Sequence, residues 1–593
     1  MSVLEKQAHG KGIKKQSVVK YVSIVLTVLF TSILFFKGKD NSKSSLTKKF
    51  NEYGSKSLSD RLKDFTYTEE SKCPLSEALT PSFENYDLKN IFVNETFIDL
   101  AAEKLSGAIK VNTSIGDNTP SPKDDINYWA KFLEFHEYLE EAFPLVHEKL
   151  ELEKINELGL LYKWEGTNSD LKPIVFMAHQ DVVLVNENTL DQWTYPAFSG
   201  HYDKETHLIW GRGAIDCKNL LIAELHALEI LLEQGFVPTR SVYLSLGFDE
   251  ESSGVHGAAY LSKHLTDTLG PDSIYSIIDE GPGFTQLSEN FYIAAPILNE
   301  KGRIDVKISV EGNGGHSSSP PMNGHTNIGI LAKAISLMED TGFEPEYSEK
   351  NSIWQFLQCI AEYDDKLDPE FKEAIVKREV SPYYKNKLLS ILNSQKEFKD
   401  LIKTSQAFDI ISGGVKANAL PEDAFAIVNH RIDVGSSVKK VLERDLSLAK
   451  VIAKTYNYGL ILEDKEILPK TDNGIIKAET FGHSIEPAPI SPQNQVYDIF
   501  QKTIYNTFFN GFLSEKESDA IIFAVSPNTV TVNTDTLYYW NLTSNIYRFQ
   551  CIKFSVESMK SIHSVNEAVD ARDHASTIGF IYDYILNVNE YDS

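Results

Sequence analysis

The chain has 593 residues, more than one hydrophobic core usually supports, so two domains are expected. Hydrophobic residues make up 42% and aromatic residues 11%, which excludes an intrinsically disordered chain. Lys and Arg number 58 against 84 Asp and Glu, a net charge of −26; this disfavours the basic face that a nucleic-acid partner would need, and none is expected.

Taken in chain order, residues 1–20 read as a short tail and Tyr21 to Phe36 as an uncharged apolar run between Lys20 and Lys37. The run is slightly short for a bilayer core, and flanking lysines can snorkel to make up the difference. No small-x-small cleavage pattern follows it, so an uncleaved transmembrane signal anchor fits better than a cleaved signal peptide. Lysines are balanced on the two sides and leave orientation open. The acceptor patterns beginning at Asn94, Asn112 and Asn541 lean towards a luminal body, although each alone is a common accident.

Residues 37–89 read as a stalk, rich in Lys and Ser at its start. From 90 to 300, strand-like apolar runs alternate with helical patterns, which predicts an α/β catalytic domain with a mostly parallel central sheet. Ile126 to Phe143 and Asn219 to Gln234 are helical, the latter stopped by Gly235. At Lys301 the texture changes. Arg303 to Val310 alternates as an antiparallel strand does, Phe425 to Ile432 reads as another strand, and about 340–410 is helical and charged. Residues 301–484 therefore read as an inserted α+β lid domain, and 485–593 as the return to the catalytic domain through a helix from Gln495 to Phe509. The four cysteines, Cys73, Cys217, Cys359 and Cys551, lack the close pairing of a thiolate zinc site and leave a disulfide at Cys73 open.

Five dispersed residues could ligate metal: His179, Asp216, Glu251, Asp279 and His563. Three of them follow short apolar runs that read as buried parallel strands (Pro173 to Ala178, Ser241 to Phe248, Ser273 to Ile278), and ligand crevices in such sheets lie beyond the strand carboxyl ends. Alone, each has a duller explanation: a structural histidine, a turn aspartate, a solvated acid pair. Together, Asp216 becomes a carboxylate that can bridge two metals flanking a hydrolytic water. Glu250 and Glu251 follow a buried strand, where unpaired acids would be costly. Glu251 is assigned to metal, Glu250 to general base, and Asp181 to orienting an imidazole. His563, 284 residues beyond Asp279, can join only through folding. In the lid, His316 on a Gly-rich loop could stabilise an oxyanion, and Arg431, with Asn418 thirteen residues earlier, could hold a substrate carboxylate; a flexible loop and a surface ion pair are the plainer alternatives.

As a set, His179-Gln-Asp-Val-Val, Gly211-Arg-Gly-Ala-Ile-Asp, Phe248-Asp-Glu-Glu, Asp279-Glu-Gly-Pro-Gly, Gly314-Gly-His-Ser-Ser, Asn533-Thr-Asp-Thr and His563-Ser-Val-Asn-Glu resemble the di-zinc metallopeptidases of the aminoacylase and glutamate carboxypeptidase type, most of all the fungal vacuolar Gly-X carboxypeptidases. The resemblance spans about 170–570 and extends to the N-terminal anchor. It implies two zinc ions per chain, one on His179, Asp216 and Asp279 and one on Asp216, Glu251 and His563. It also implies Glu250 as base, Asp181 behind the metals, and His316, Asn418 and Arg431 on the substrate. The implied substrates are small blocked peptides cut at the C-terminal bond, with N-acyl amino acids as the alternative and a metal-free binding relative as the rival of another class. A vacuolar, single-pass membrane protein with a luminal body is implied, and in relatives that dimerise through the lid the histidine reaches the neighbouring site. Leu184, where relatives often carry proline, and the large 340–410 insertion are the departures.

Overall fold

The computed structural model describes residues 71–513 and 521–591. The expected tail and membrane anchor at 1–36 lie outside the described residues. Among the described residues no helix is long and apolar enough to cross a membrane.

The catalytic body opens with α1 (Glu95–Lys110) and α2 (Ala130–Ala142), followed by the hairpin β1 (Glu151–Ile155) and β2 (Gly159–Trp164). Then come β3 (Ile174–His179), α3 (Lys218–Glu233), β4 (Val242–Gly247), α4 (Ala258–Leu269) and β5 (Ser276–Asp279). Strands β6 (Phe284–Ser288), β7 (Phe291–Ala294) and β8 (Ile297–Glu300) lead into the lid. The lid contributes β9 (Gly302–Glu311), α5 (Asn327–Thr341), α6 (Ile353–Tyr363), α7 (Pro369–Lys377), α8 (Pro382–Asn393), β10 (Ser405–Gly413) and β11 (Asp423–Ile432). It continues with α9 (Val438–Tyr456), β12 (Gly459–Leu462), β13 (Lys465–Leu468) and β14 (Ile475–Ile485). The chain returns through α10 (Gln495–Asn506), β15 (Ile522–Val525), β16 (Asn528–Val530), β17 (Ile546–Arg548) and α11 (Ala571–Asn589).

The main sheet has eight strands in the order β1-β2-β4-β3-β5-β17-β8-β16. Its centre, β4-β3-β5-β17, is parallel, and its strands are continuous apolar runs, as burial on both faces requires. The β1-β2-β4 edge and the β17-β8 join are antiparallel, so the sheet is mixed rather than mostly parallel throughout. Helix α3 is buried on nearly every side, consistent with an apolar sequence that lacks a polar stripe. It shares one core with α11 and the sheet.

The lid is a six-stranded sheet, β10-β11-β9-β14-β12-β13, with α5 and α9 packed on one face through Ile304, Val306, Ile308 and Val310. Period-2 alternation in β9 and β11 is what creates that face. Helices α6 to α8 do not join this core. They pack with Phe291, Ile293 and Ala524 of the small sheet β6-β7-β15, whose alternate residues Tyr292 and Ala294 face the main core. The 301–484 insertion is thus divided between two cores, a division that charge and helical texture did not disclose. Helix α10 ends at Asn506, and Thr507–Phe512 continue it as a π-helical turn.

The segment expected as the end of the stalk is held against the body from residue 71. Leu79 N–H donates to the Lys502 carbonyl at 3.2 Å, and the Tyr86 hydroxyl donates to Asp583 at 2.8 Å. Cys73 is bonded to Cys359 of α6 across a separation of 286 residues, and Tyr363 donates to the Cys73 carbonyl at 2.6 Å. The expected stalk therefore does not reach residue 89: apolar Leu79, Phe83 and Tyr86 are packed on the core. Cys217 and Cys551 are buried and free. Denatured without reductant, the protein should titrate two thiols, and reduction should cost about 2–5 kcal/mol of stability in denaturant melts. Four thiols, or equal melts, would show that the bridge does not form.

Candidate active site

Strands β4, β3 and β5 lie side by side and end together, His179 being level with Gly247 in the register. Their carboxyl ends form one rim, as expected for a ligand crevice in this kind of sheet. His179 is the last residue of β3 and is only 2% exposed. Its Nδ1 lies 2.9 Å from the Asp181 backbone carbonyl and 3.4 Å from Asp181 Oδ1. A proton on Nδ1 is therefore satisfied, which leaves Nε2 and its lone pair towards the crevice, 3.1 Å from Asp216 Oδ1.

Asp181 does more than face this imidazole. It is fully buried, and its two carboxylate oxygens accept the backbone N–H groups of Glu250 at 3.1 Å and Glu251 at 2.9 Å. Those two acids do not extend the strand. They form a single 3₁₀ turn, Glu250–Ser252, two residues beyond the end of β4. The Asp249 carboxylate accepts from His256 N–H and Gly257 N–H at 2.7 Å each and closes the loop behind them. Burial pushes the Glu250 carboxyl well above its ordinary value.

Asp216 sits on the turn between the Leu208–Trp210 strand and α3. That turn is built around Glu567, a residue without an assigned role in the sequence reading. Fully buried, Glu567 accepts from Arg212 Nη1 at 2.6 Å and from the N–H groups of Gly213, Ile215 and Asp216 at 3.1, 2.8 and 3.2 Å. Gly213 is needed at φ +89°, where a Cβ would lie 2.7 Å from Val182 Cγ1. Because Glu567 and His563 share one segment, the clamp also brings His563 to Asp216. His563 Nε2 is 2.9 Å from Asp216 Oδ2 and 3.1 Å from Glu251 Oε1. Burial would raise the Asp216 carboxyl, but hydrogen bonds from His179 and His563 outweigh it and hold the group well below the usual range.

The fifth expected ligand differs. Asp279 is the last residue of β5 and is buried; Thr534 hydrogen-bonds its carboxylate, the Arg548 charge acts on it, Oδ2 has no hydrogen bond, and the residue is not part of the cavity lining. The next residue, Glu280, turns to the crevice: its Oε1 is 3.7 Å from His179 Nε2. Successive side chains at a strand end point oppositely, so the two adjacent acids present themselves differently to the crevice. Donor atoms of His179, Asp216 and Glu251 lie within 4.8 Å of one another, as do those of His179, Cys217 and Glu280. Two imidazoles with four carboxylates in one partly buried crevice make a nitrogen–oxygen donor set of the type that holds zinc, and four acids with only two imidazoles beside them would be costly there without cations.

A cavity of about 430 Å³ opens over the rim. It is lined by Asp216, Glu250, Glu251, Glu280 and His563 and reaches Arg431 on lid strand β11. Arg431 Nη1 donates to Asn533 Oδ1 at 3.3 Å, and Asn533 in turn donates to the Lys301 carbonyl at 2.6 Å. His316 and Asn418 are not brought to this cavity. They lie exposed on a lid loop in which Gly315–His316 pairs with Ala419–Leu420. Asn94, Asn112 and Asn541 are all exposed. Asn94 Oδ1 caps α1, accepting from Thr96 and Phe97.

Known proteins are similar to this chain. The model of peptidase family M20/M25/M40 matches residues 175–587. Carboxypeptidase S of Saccharomyces cerevisiae is 47% identical over 522 residues, covering 88% of this chain and 89% of that protein. The mouse N-fatty-acyl-amino acid synthase/hydrolase PM20D1 is 31% identical over 498 residues, 82% of this chain and 88% of that protein. The crystal structure of the M20 family metallo-carboxypeptidase Sso-CP2 from Sulfolobus solfataricus has the same fold at 20% identity, with a TM-score of 0.55, covering 83% of this chain and 99% of that one. The chain belongs to peptidase family M20/M25/M40 and is a hydrolase, a metallocarboxypeptidase.

Proposed function

We propose that this chain is a two-zinc carboxypeptidase that cleaves the C-terminal peptide bond of small N-blocked peptides of the Gly-X type. The observation that carries the reading is Asp216, whose two oxygens face different histidines at 3.1 and 2.9 Å, the arrangement of a shared ligand. One ion would be held by His179, Asp216 and Glu280, the second by Asp216, Glu251 and His563. Glu280 thereby takes the place the motif suggested for Asp279. When bound, the metals supply Lewis acidity to the scissile carbonyl and to the attacking water.

The chain's own residues do the rest. Glu250, buried beside the ligands and anchored through its amide to Asp181, takes the proton of the attacking water and delivers it to the leaving amine. Arg431 offers a permanently charged fork for the terminal carboxylate at the lid end of the cavity. His316 and Asn418, exposed on the lid, would serve the site of a second copy in a homodimer formed through the lid.

One observation favours a second reading. The cavity wall between metals and lid is apolar, with Ile297, Val530, Leu537, Phe554, Met559 and Ile562, and would accept the acyl chain of an N-acyl amino acid. The similarity to carboxypeptidase S supports a vacuolar location. We propose that Tyr21–Phe36 anchors a luminal body there, with glycans on Asn94, Asn112 and Asn541.

Assay of blocked Gly-X dipeptides and N-acyl amino acids, with and without chelator, separates the two readings; activity that survives metal removal would sink both. Glu250→Gln should retain two zinc ions and lose 10²–10⁴-fold in kcat. If it loses metal instead, Glu250 is a ligand. Glu280→Gln should lose one zinc ion while Asp279→Asn retains both, as read by metal analysis of the purified proteins. The reverse pattern would restore Asp279 to the site.

A further inference from the structure

Helix α4 and the segment that follows the Asp535–Tyr538 turn enclose an open groove of about 420 Å³. On the helix side the small residues Ala259, Ser262 and Thr266 leave the space, and on the other side stand Tyr538 and Trp540. The segment is rigidly placed. Tyr539 and Leu542 are fully buried in one core with Leu261 and Leu265 of α4, while Trp540 is half-buried and Asn541 exposed. The carbonyls of Asn541 and Leu542 accept from Asp272 N–H at 2.9 Å and Ile274 N–H at 3.1 Å. Asn541 is itself part of the groove lining, and its Nδ2 donates to Thr266 Oγ1 of α4 at 2.9 Å. In an Asn-X-Thr acceptor such as Asn541-Leu-Thr543, Nδ2 is the atom that takes the sugar. It carries two hydrogens, so one still serves Thr266 after the other has been replaced.

We propose that this groove seats the first sugars of an N-linked glycan on Asn541, which packs against the protein instead of extending into solvent. The proposal rests on the luminal, glycosylated body proposed above and is independent of the peptidase reading. A pyranose ring has an apolar C–H face and a rim of hydroxyls. Trp540 and Tyr538 offer aromatic surface to the face, and the Lys263–Asp267 ion pair on α4 offers a donor and an acceptor to the rim. Attachment at Asn541 makes the contact intramolecular, so weak individual interactions suffice. The seat also bears on the catalytic loop. Ser262 Oγ donates to the Tyr538 carbonyl, Tyr538 O–H to the Ser253 carbonyl and Ser253 N–H to the Glu250 carbonyl, each at 2.7 Å. A glycan that holds the 538–541 segment against α4 thereby braces the turn that carries Glu250 and Glu251.

The test uses full-length protein from a glycosylating eukaryotic host, with each acceptor site followed by mass spectrometry. Asn541 should carry a glycan, and an endoglycosidase should remove it from the native wild type about tenfold more slowly than from native Ala259→Phe, whose ring fills the groove, a ratio equivalent to ~1.4 kcal/mol of seating. Once denatured, the two proteins should lose it at the same rate. Asn541→Gln should melt about 2 °C or more below wild type, whereas Asn94→Gln and Asn112→Gln should not. An unmodified Asn541 overturns the glycan reading and the seat together. A glycan that leaves native wild type and native Ala259→Phe equally fast overturns the seat alone. Should Ala259→Phe not fold, the melting comparison decides: a wild-type melt for Asn541→Gln contradicts the proposal.

Discussion

The site depends on one carboxylate being held between two imidazoles that come from opposite ends of the catalytic domain. Asp216 can face both His179 and His563 only if its turn is rigid and if the distant C-terminal segment is fixed to it. Glu567 meets both needs, because its carboxylate gathers three backbone amides and the Arg212 guanidinium while its own segment carries His563. Arg212 and Glu567 are almost wholly buried, so loss of either would leave a desolvated, uncompensated charge, an effect of about 3–5 kcal/mol. The same logic recurs at Asp181, which holds the amides of Glu250 and Glu251 behind the reacting centre. In both cases a buried acid sets the position of acids that line the cavity.

Much of this was legible in the sequence because parallel strands buried on both faces are written as continuous apolar runs. Their ends at His179, Gly247 and Asp279 fall within a residue or two of the expected places. The alternation in β9 and β11 was equally plain. What the sequence left open was direction. Asp279 and Glu280 are adjacent acids after the same strand, and composition does not say which one faces the crevice. Glu567 was visible only as the last letter of a motif, since its four partners are more than 350 residues away.

The insertion shows the same limit at a larger scale. Residues about 340–410 read as helical and charged, yet those from 353 to 402 bury their apolar faces against β7 and β15 instead of the lid sheet, and the bridge from Cys73 to Cys359 ties the start of the described chain to them. The lid sheet and the small sheet thereby belong to separate cores. Among the described residues, the lid sheet lines the cavity through Arg303, Arg431 and Ile485. The lid thus contributes two guanidiniums and one apolar side chain to the lining, and the catalytic rim contributes the histidines and most of the acids.

The central claim is that one carboxylate serves two metals. Anomalous diffraction at the zinc edge from crystals of zinc-loaded protein tests it most directly. Two peaks flanking Asp216 are predicted, one beside His179 and Glu280 and the other beside Glu251 and His563. A single peak, or a second peak beside Asp279 away from Asp216, would contradict the account.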